Sequence, residues 1–190
     1  KSDVALIGIV SRLTEQKGMY MVTEKLREIM DQNVQFVVLG TGEANAENSF
    51  KWLESEYKGR AVYYCGYNED LAHLIYAGCD VFFMPSIYEP CGIGQLIAMH
   101  YGTLPIVRET GGLKDTVHPY NQYTGEGNGF SFWAANPNDM MYTLRYALEQ
   151  YYNNKTGWKG LVKSAMNTDV SWEQSANQYE QLYYSICNWD

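Results

Sequence analysis

The sequence predicts an α/β domain: a parallel β-sheet with helices on both faces. Three observations carry this. Short apolar, β-branched runs alternate with stretches of helical periodicity. The short runs are largely apolar, as strands covered on both sides require. The loops that follow the first five runs are rich in Gly, polar or charged residues. A chain of 190 residues can bury a full core as one domain.

The elements follow in order along the chain. Val4–Val10 is the first strand. Met19, Val22, Leu26, Ile29 and Met30 then recur at helical spacing. Gln35–Gly40 is the second strand, ending at a Gly-Thr-Gly turn. A helix covers Ala46–Tyr57, and Ala61–Cys65 is the third strand. Asn68 caps a helix that carries Leu71, Leu74 and Ile75 and that Gly78 ends. Asp80–Met84 is the fourth strand, Gly92–Tyr101 a helix closed by Gly102, Leu104–Val107 the fifth strand and Gly129–Trp133 the sixth. Tyr120–Asn128 reads as a polar, mobile loop. The tail, 137–190, is helical. Asn136-Pro137 offers a cap with proline at the first helical position, and Met141, Leu144, Leu148 and Tyr151 line one face. Ser171 with Gln174 forms a capping box. Trp172, Ala176, Tyr179, Tyr183 and Ile186 form a stripe read as core packing.

Composition narrows the partners. A formal charge of -8, with no run of Lys and Arg, argues against nucleic acid. No apolar span is long enough for a membrane, and no leader peptide is evident. Cys65, Cys79, Cys91 and Cys187 include no C-x-x-C pair, which disfavours a metal site; reduced thiols in the cytoplasm are the better reading. The abrupt opening on a strand suggests a piece of a longer polypeptide.

Ligands of such sheets bind outside the carboxyl ends of the strands. The informative loops are therefore Ser11–Lys17, Thr41–Glu43, Gly66–Asn68, Pro85–Gly92 and Arg108–Leu113. In the fourth of these, Glu89, Cys91 and two glycines precede a helix. A Gly-rich turn opening a helix presents free amides and a positive dipole end to a phosphate. A carboxylate repels phosphate but grips hydroxyls, so this turn suits a ligand with both sugar and phosphate. In the first loop, Arg12 leaves a strand and Lys17 lies near the next helix start, where a cation opposes the dipole unless an anion joins it. Two such cations suit a diphosphate, Arg as a fork and Lys as a point charge. The plainer alternative is a pair of solvated surface cations.

Three segments carry a resemblance: Gly8-Ile9-Val10-Ser11-Arg12-Leu13-Thr14-Glu15-Gln16-Lys17-Gly18, Pro85-Ser86-Ile87-Tyr88-Glu89-Pro90-Cys91-Gly92, and the run from Tyr101 to Val117 containing Thr110-Gly111-Gly112-Leu113. With them the chain resembles the C-terminal domain of bacterial glycogen synthases and plant starch synthases, over nearly its whole length but fading after about residue 135. The resemblance implies a single Rossmann-like domain, the C-terminal half of a GT-B fold, in a retaining glycosyltransferase. It implies transfer of glucose from ADP-glucose to the non-reducing end of an α-1,4-glucan, with no metal or other cofactor. The glucan would be bound by an N-terminal domain that this chain lacks, so the fragment alone should turn over little. By position, Arg12 and Lys17 would clamp the diphosphate, Tyr67 would stack on the adenine and Glu89 would hold sugar hydroxyls. Cys91, Gly92, Ile93 and Gly94 would line the glucose and phosphate site, with Thr110, Gly111 and Gly112 close to the donor.

Two departures bear on that assignment. Gly94 stands where many relatives carry threonine, removing a hydroxyl from the phosphate site. Ile97 stands where many GT-B enzymes carry a second glutamate, an absence common in the starch and glycogen synthase branch. Alternatives are a GT-B transferase using UDP-glucose and a non-catalytic nucleotide- or glucan-binding module. The chain has seventeen tyrosines but no dedicated sugar-stacking motif. Plainer readings also stand for individual residues. Tyr67 could simply pack at a strand end, Cys91 could be a small buried residue, and His73, His100 and His118 are assigned no role.

Overall fold

The computed structural model describes residues 3–187. Strand and helix alternate as β1 (Ala5–Val10), α1 (Met19–Glu24), α2 (Leu26–Met30), β2 (Val34–Gly40), α3 (Ala44–Glu56), β3 (Ala61–Cys65), α4 (Glu69–Gly78), β4 (Val81–Met84), α5 (Gly94–Tyr101), β5 (Leu104–Arg108), α6 (Gly111–Thr116) and β6 (Phe130–Phe132). Three helices follow: α7 (Pro137–Asn153), α8 (Lys155–Met166) and α9 (Trp172–Cys187). Within the expected tail, 188–190 lie outside the described residues.

All six strands join one parallel sheet in the order β3-β2-β1-β4-β5-β6. The chain first builds outward from β1 through β2 and β3. It then returns to the other side of β1 and builds outward again, a doubly wound, Rossmann-like α/β topology. The order reverses between β1 and β4, and a crevice opens there at the carboxyl ends of the strands.

Both faces of the sheet are covered except at the β3 edge, where Val62 and Tyr64 are exposed, and its strands are accordingly rich in apolar residues. On one face Ile7, Ile9, Phe36, Val38, Phe83 and Ile106 join the main core with Met21 and Val22 of α1, Ile29 of α2, Phe50 of α3, Leu144 and Ala147 of α7 and Leu161 of α8. The other face carries smaller clusters built on Ile75 and Tyr76 of α4, Ala98 of α5 and Leu113 of α6. Each fully buried large aliphatic or aromatic side chain contributes about 1.5–3 kcal/mol.

Several local expectations are met. The Asn68 side chain accepts from the Leu71 amide at 2.9 Å, and Asn136 accepts from Asn138 and Asp139 at 3.0 and 2.9 Å. Other elements differ from the sequence reading. The helix expected across residues 19–30 is two, parted at Lys25, whose φ of -107° and ψ of 9° fall outside the helical region. The segment opening at Gly111, placed in the loop Arg108–Leu113 by the sequence, is a helix. The expected capping box is half formed. The Gln174 amide donates to Ser171 Oγ at 3.2 Å, while the Ser171 amide donates to Asp169.

The stripe on α9 is not core. Trp172 is 90% exposed and Ile186 67%, and α9 buries no residue among those described. Helical periodicity shows that these side chains share a face, not that the domain supplies a surface to cover it. The loop expected to be mobile, 120–128, is tied at its ends. Tyr120 donates to Gly129 and Asn121 to Glu126 through backbone amides, and buried Asn128 accepts from the His118 amide at 2.7 Å.

At the opposite end of the sheet from the crevice, Asp80 accepts the Leu6 amide at 2.9 Å. Burial pushes its carboxyl above the usual carboxylate range, against the opposing pull of the Leu6 amide, the Tyr151 hydroxyl and Lys155. A raised folded value means that this group's contribution is full below the unfolded carboxylate value and is lost as pH rises through the folded one. Asp80→Asn keeps an acceptor and cannot ionise. Its melting temperature should therefore rise relative to the parent between pH 4 and 7, and parallel curves would contradict this. Asp80→Ala, which orphans the amide, should cost about 1–3 kcal/mol.

Candidate functional site

The crevice is a cavity of about 500 Å³ walled by the loops that follow β1 and β4. Val10, Ser11, Arg12 and Lys17 come from the first. Met84, Pro85, Ser86, Glu89, Cys91, Gly92, Ile93 and Gly94 come from the second. Sequence-expected residues from two distant segments thus share one wall.

Lys17 and Glu89 are joined directly. The Lys17 ammonium donates to Glu89 Oε2, and the two side chains are only 17% and 11% exposed. The same carboxylate oxygen accepts from Ser86 Oγ at 3.1 Å, and Ser86 itself is 1% exposed. Glu89 is therefore held by a cation on one side and a hydroxyl on the other. Arg12 is exposed and forms no ion pair or side-chain hydrogen bond among the described residues. It leaves a guanidinium at the crevice mouth, where its fork remains available to an anion. α5 begins at Gly94, and the residue at its cap, Ile93, bonds none of the helix's first amides with its side chain. The dipole end and those amides face the same cavity and favour negative charge.

A second, more apolar hollow of about 330 Å³ adjoins the first and shares Val10, Ser11 and Arg12 with it. Its other walls are Leu39, Gly40 and Thr41 after β2, and Gly66, Tyr67, Asn68 and Ala72 after β3. Tyr67 is 84% exposed, with its hydroxyl 3.4 Å from Glu69 Oε2. It packs against little, and its ring borders the hollow. Arg12 stands between the crevice and this more apolar hollow.

Thr110, Gly111 and Gly112 do not line either hollow. They lie behind the Glu89 loop and support its backbone. The Gly112 amide donates to Pro90 O at 2.9 Å. A Cβ on Gly111, whose φ is +45°, would sit 2.1 Å from Glu89 O. Close backbone approach explains the paired glycines. His73 pairs with the Tyr101 hydroxyl on the outer surface, and no histidine lies on either wall. Among the described residues no three His, Cys, Asp or Glu side chains are grouped to hold a metal. No helix among them is long and apolar enough to cross a membrane.

The two loops are locked together by backbone. Ile87 and Tyr88 both donate to Gln16 O, at 2.8 and 3.4 Å, and Gln16 Nε2 returns a bond to Tyr88 O. The first loop is also fixed from the β2 side, where Leu13 donates to Thr41 O and Glu15 donates to Glu43 Oε1, both at 2.9 Å. Ser86, Gln16 and Glu43 lie in the segments and loops that the sequence singles out but show no role there, because each acts through a backbone or a neighbour that only the fold brings close. Two buried polar atoms nearby, Thr14 Oγ1 and Gln95 Oε1, lack partners among the described residues.

Comparison with known proteins gives consistent relatives. Residues 1–158 match the family model described as glycosyl transferases group 1. A glycogen synthase of Bacillus cereus is 54% identical over 186 residues, covering 98% of this chain and 39% of that protein. One of Lachnospira eligens is 51% identical over 181 residues, covering 95% and 38%. The chain thus spans about two fifths of the length of these relatives. Among solved structures, the catalytic domain of starch synthase IV from Arabidopsis thaliana, bound to ADP and acarbose, superposes with a TM-score of 0.86. It is 37% identical, covering 97% of this chain and 39% of that one. Sucrose-phosphate synthase from Thermosynechococcus elongatus, 23% identical with a TM-score of 0.70 over 100% of this chain and 47% of that one, shares the fold.

At Gly18 the two loops pass in close contact. Its φ is +72°, and a Cβ there would lie 2.0 Å from Pro85 O. Gly18→Ala should combine left-handed strain with a backbone collision and cost more than about 2 kcal/mol. Thermal melts read this; a loss under about 0.5 kcal/mol would show that the loops separate freely.

Proposed function

Because the chain belongs to the glycosyl transferases group 1 family, we propose that it is the donor-binding domain of a glycogen synthase, taking glucose from ADP-glucose to the non-reducing end of an α-1,4-glucan with retention. The observation that carries this reading is the convergence of Arg12, Lys17 and Glu89 at one crevice. The diphosphate lies between Arg12, Lys17 and the start of α5. The adenine enters the apolar hollow against Tyr67, and the glucose hydroxyls meet Glu89. The ADP and acarbose bound to the starch synthase relative support a nucleotide and a glucan as ligands. The glucan itself is held by a domain outside this chain, in keeping with the share of the relatives that the chain spans. Four free cysteines accord with work in the cytoplasm.

Lys17 changes partner in this account. Without donor its charge is balanced by Glu89; with donor, a phosphate oxygen takes the ammonium and Glu89 turns to the sugar. In the transfer step the bond from the anomeric carbon to the phosphate oxygen breaks, and the oxygen leaves with the electron pair. A new bond forms from that carbon to the acceptor hydroxyl, whose proton passes to the departing phosphate. Negative charge grows on the diphosphate as the sugar becomes cationic. Fixed cations and amides aimed at that charge lower the barrier, and each such donor contributes about 2.7–4 kcal/mol. The reading assigns this step no metal or further cofactor, since Arg12 and Lys17 supply the positive charge.

Calorimetry on the chain should show ADP binding more tightly than UDP, weakened at least tenfold by Lys17→Ala; equal affinities and an inert variant would overturn the reading. In the full-length enzyme Lys17→Ala should lower kcat by about 10²–10³ and leave the glucan KM little changed, whereas equal effects on both argue against a diphosphate role. Glu89→Gln should abolish most transfer while leaving ADP affinity unchanged or tighter, because it removes the competitor for Lys17. The 190-residue chain alone should synthesise almost no glucan.

A further inference from the structure

We propose that Arg108 is a positioning residue for the transfer reaction, fixing the Glu89 carboxylate through the backbone of its loop. The proposal rests on the donor-binding reading above and extends it to a residue outside the crevice wall.

Arg108 ends β5 and is partly buried. It forms no ion pair among the described residues; its guanidinium is spent on backbone carbonyls instead. Nε donates to Ser86 O at 3.0 Å, one terminal nitrogen donates to Ile87 O, and the other to Trp133 O at 3.4 Å. Taking a guanidinium from water without a carboxylate is costly, so the site needs its several charge-assisted bonds. The fork geometry matters: one planar group ties the end of β4 to the strand end beyond β6.

What it ties is the start of the catalytic loop. Ser86 sends its hydroxyl to Glu89 Oε2, so a shift of the Ser86 backbone moves the group that orients the carboxylate. The far side of the loop rests on the Gly111 and Gly112 backbone, and its inner side on Gln16 O. Gln16 and Gln95 side chains bond carbonyls further along the loop, and Arg108 ties its start from the β5 end. Without it two carbonyls of the loop and that of Trp133 lose donors, and the loop keeps its fold but not its register against the reacting sugar. Misplacement of about 1 Å costs on the order of 10²-fold in rate.

The test compares wild type, Arg108→Ala, Arg108→Lys, Ser86→Ala and the Ser86→Ala/Arg108→Ala double variant in the full-length enzyme, assayed below each protein's melting temperature, with ADP affinity measured alongside. Arg108→Ala should lower kcat by about 10–100-fold while the donor KM and ADP Kd change less than about threefold. Arg108→Lys, with one donor direction instead of a fork, should melt near wild type and still lose kcat more than about fivefold. The double variant should lose less than the product of the two single losses, because both act on one carboxylate. If Arg108→Ala does not fold, Arg108→Lys takes its place in the cycle. A folded Arg108 variant with wild-type kcat, or losses that multiply fully with Ser86→Ala, overturns the proposal. Failure of the wild-type protein to bind ADP or transfer glucose instead overturns the reading beneath it.

Discussion

The contact between the Lys17 ammonium and the Glu89 carboxylate is the point on which the site depends. It joins the two sides of a doubly wound sheet at the place where the strand order reverses. Partly buried ion pairs of this kind are weak sources of stability, since desolvation offsets most of the attraction. Their worth here lies in the exchange they permit. In the donor-binding proposal, a cation balanced by a movable carboxylate is ready for a diphosphate, and the carboxylate released from it is free to take sugar hydroxyls.

The surrounding structure serves to hold those two charges in reach of each other. Gln16 and Gly18 let the first loop run against the backbone of the fourth, and Gly111 and Gly112 close the fourth from behind. Glu43 and Thr41 brace the first loop from the neighbouring strand. The result is a rigid rim made from loops, each anchored to a buried parallel strand. Under the donor-binding proposal, that rim fixes the loop backbones while only the Lys17 and Glu89 side chains exchange partners, which keeps the reorganisation small.

Much of this was legible in the residues. Apolar runs marked the strands because all but the β3 edge are covered on both faces, and Asn68 and Asn136 marked helix starts through their side-chain chemistry. Arg12, Lys17 and Glu89 stood out as charged groups at strand ends within distinctive segments. Other parts were hidden for a common reason: their roles arise from contacts between distant backbones. Arg108 binds three carbonyls that no spacing rule connects, and Gly111-Gly112 reads as part of a loop until the Glu89 loop is seen lying across it. The α9 stripe shows the converse error, since Trp172, Tyr179 and Ile186 repeat like a core face yet face solvent. Periodicity reports which side chains align, and only the assembled fold reports what meets them.

The most direct test is a crystal of the chain soaked with ADP. The account predicts diphosphate density between Arg12 and the start of α5, with the Lys17 ammonium on a phosphate oxygen and parted from Glu89. Density for ADP elsewhere, with the Lys17–Glu89 contact intact, would contradict it.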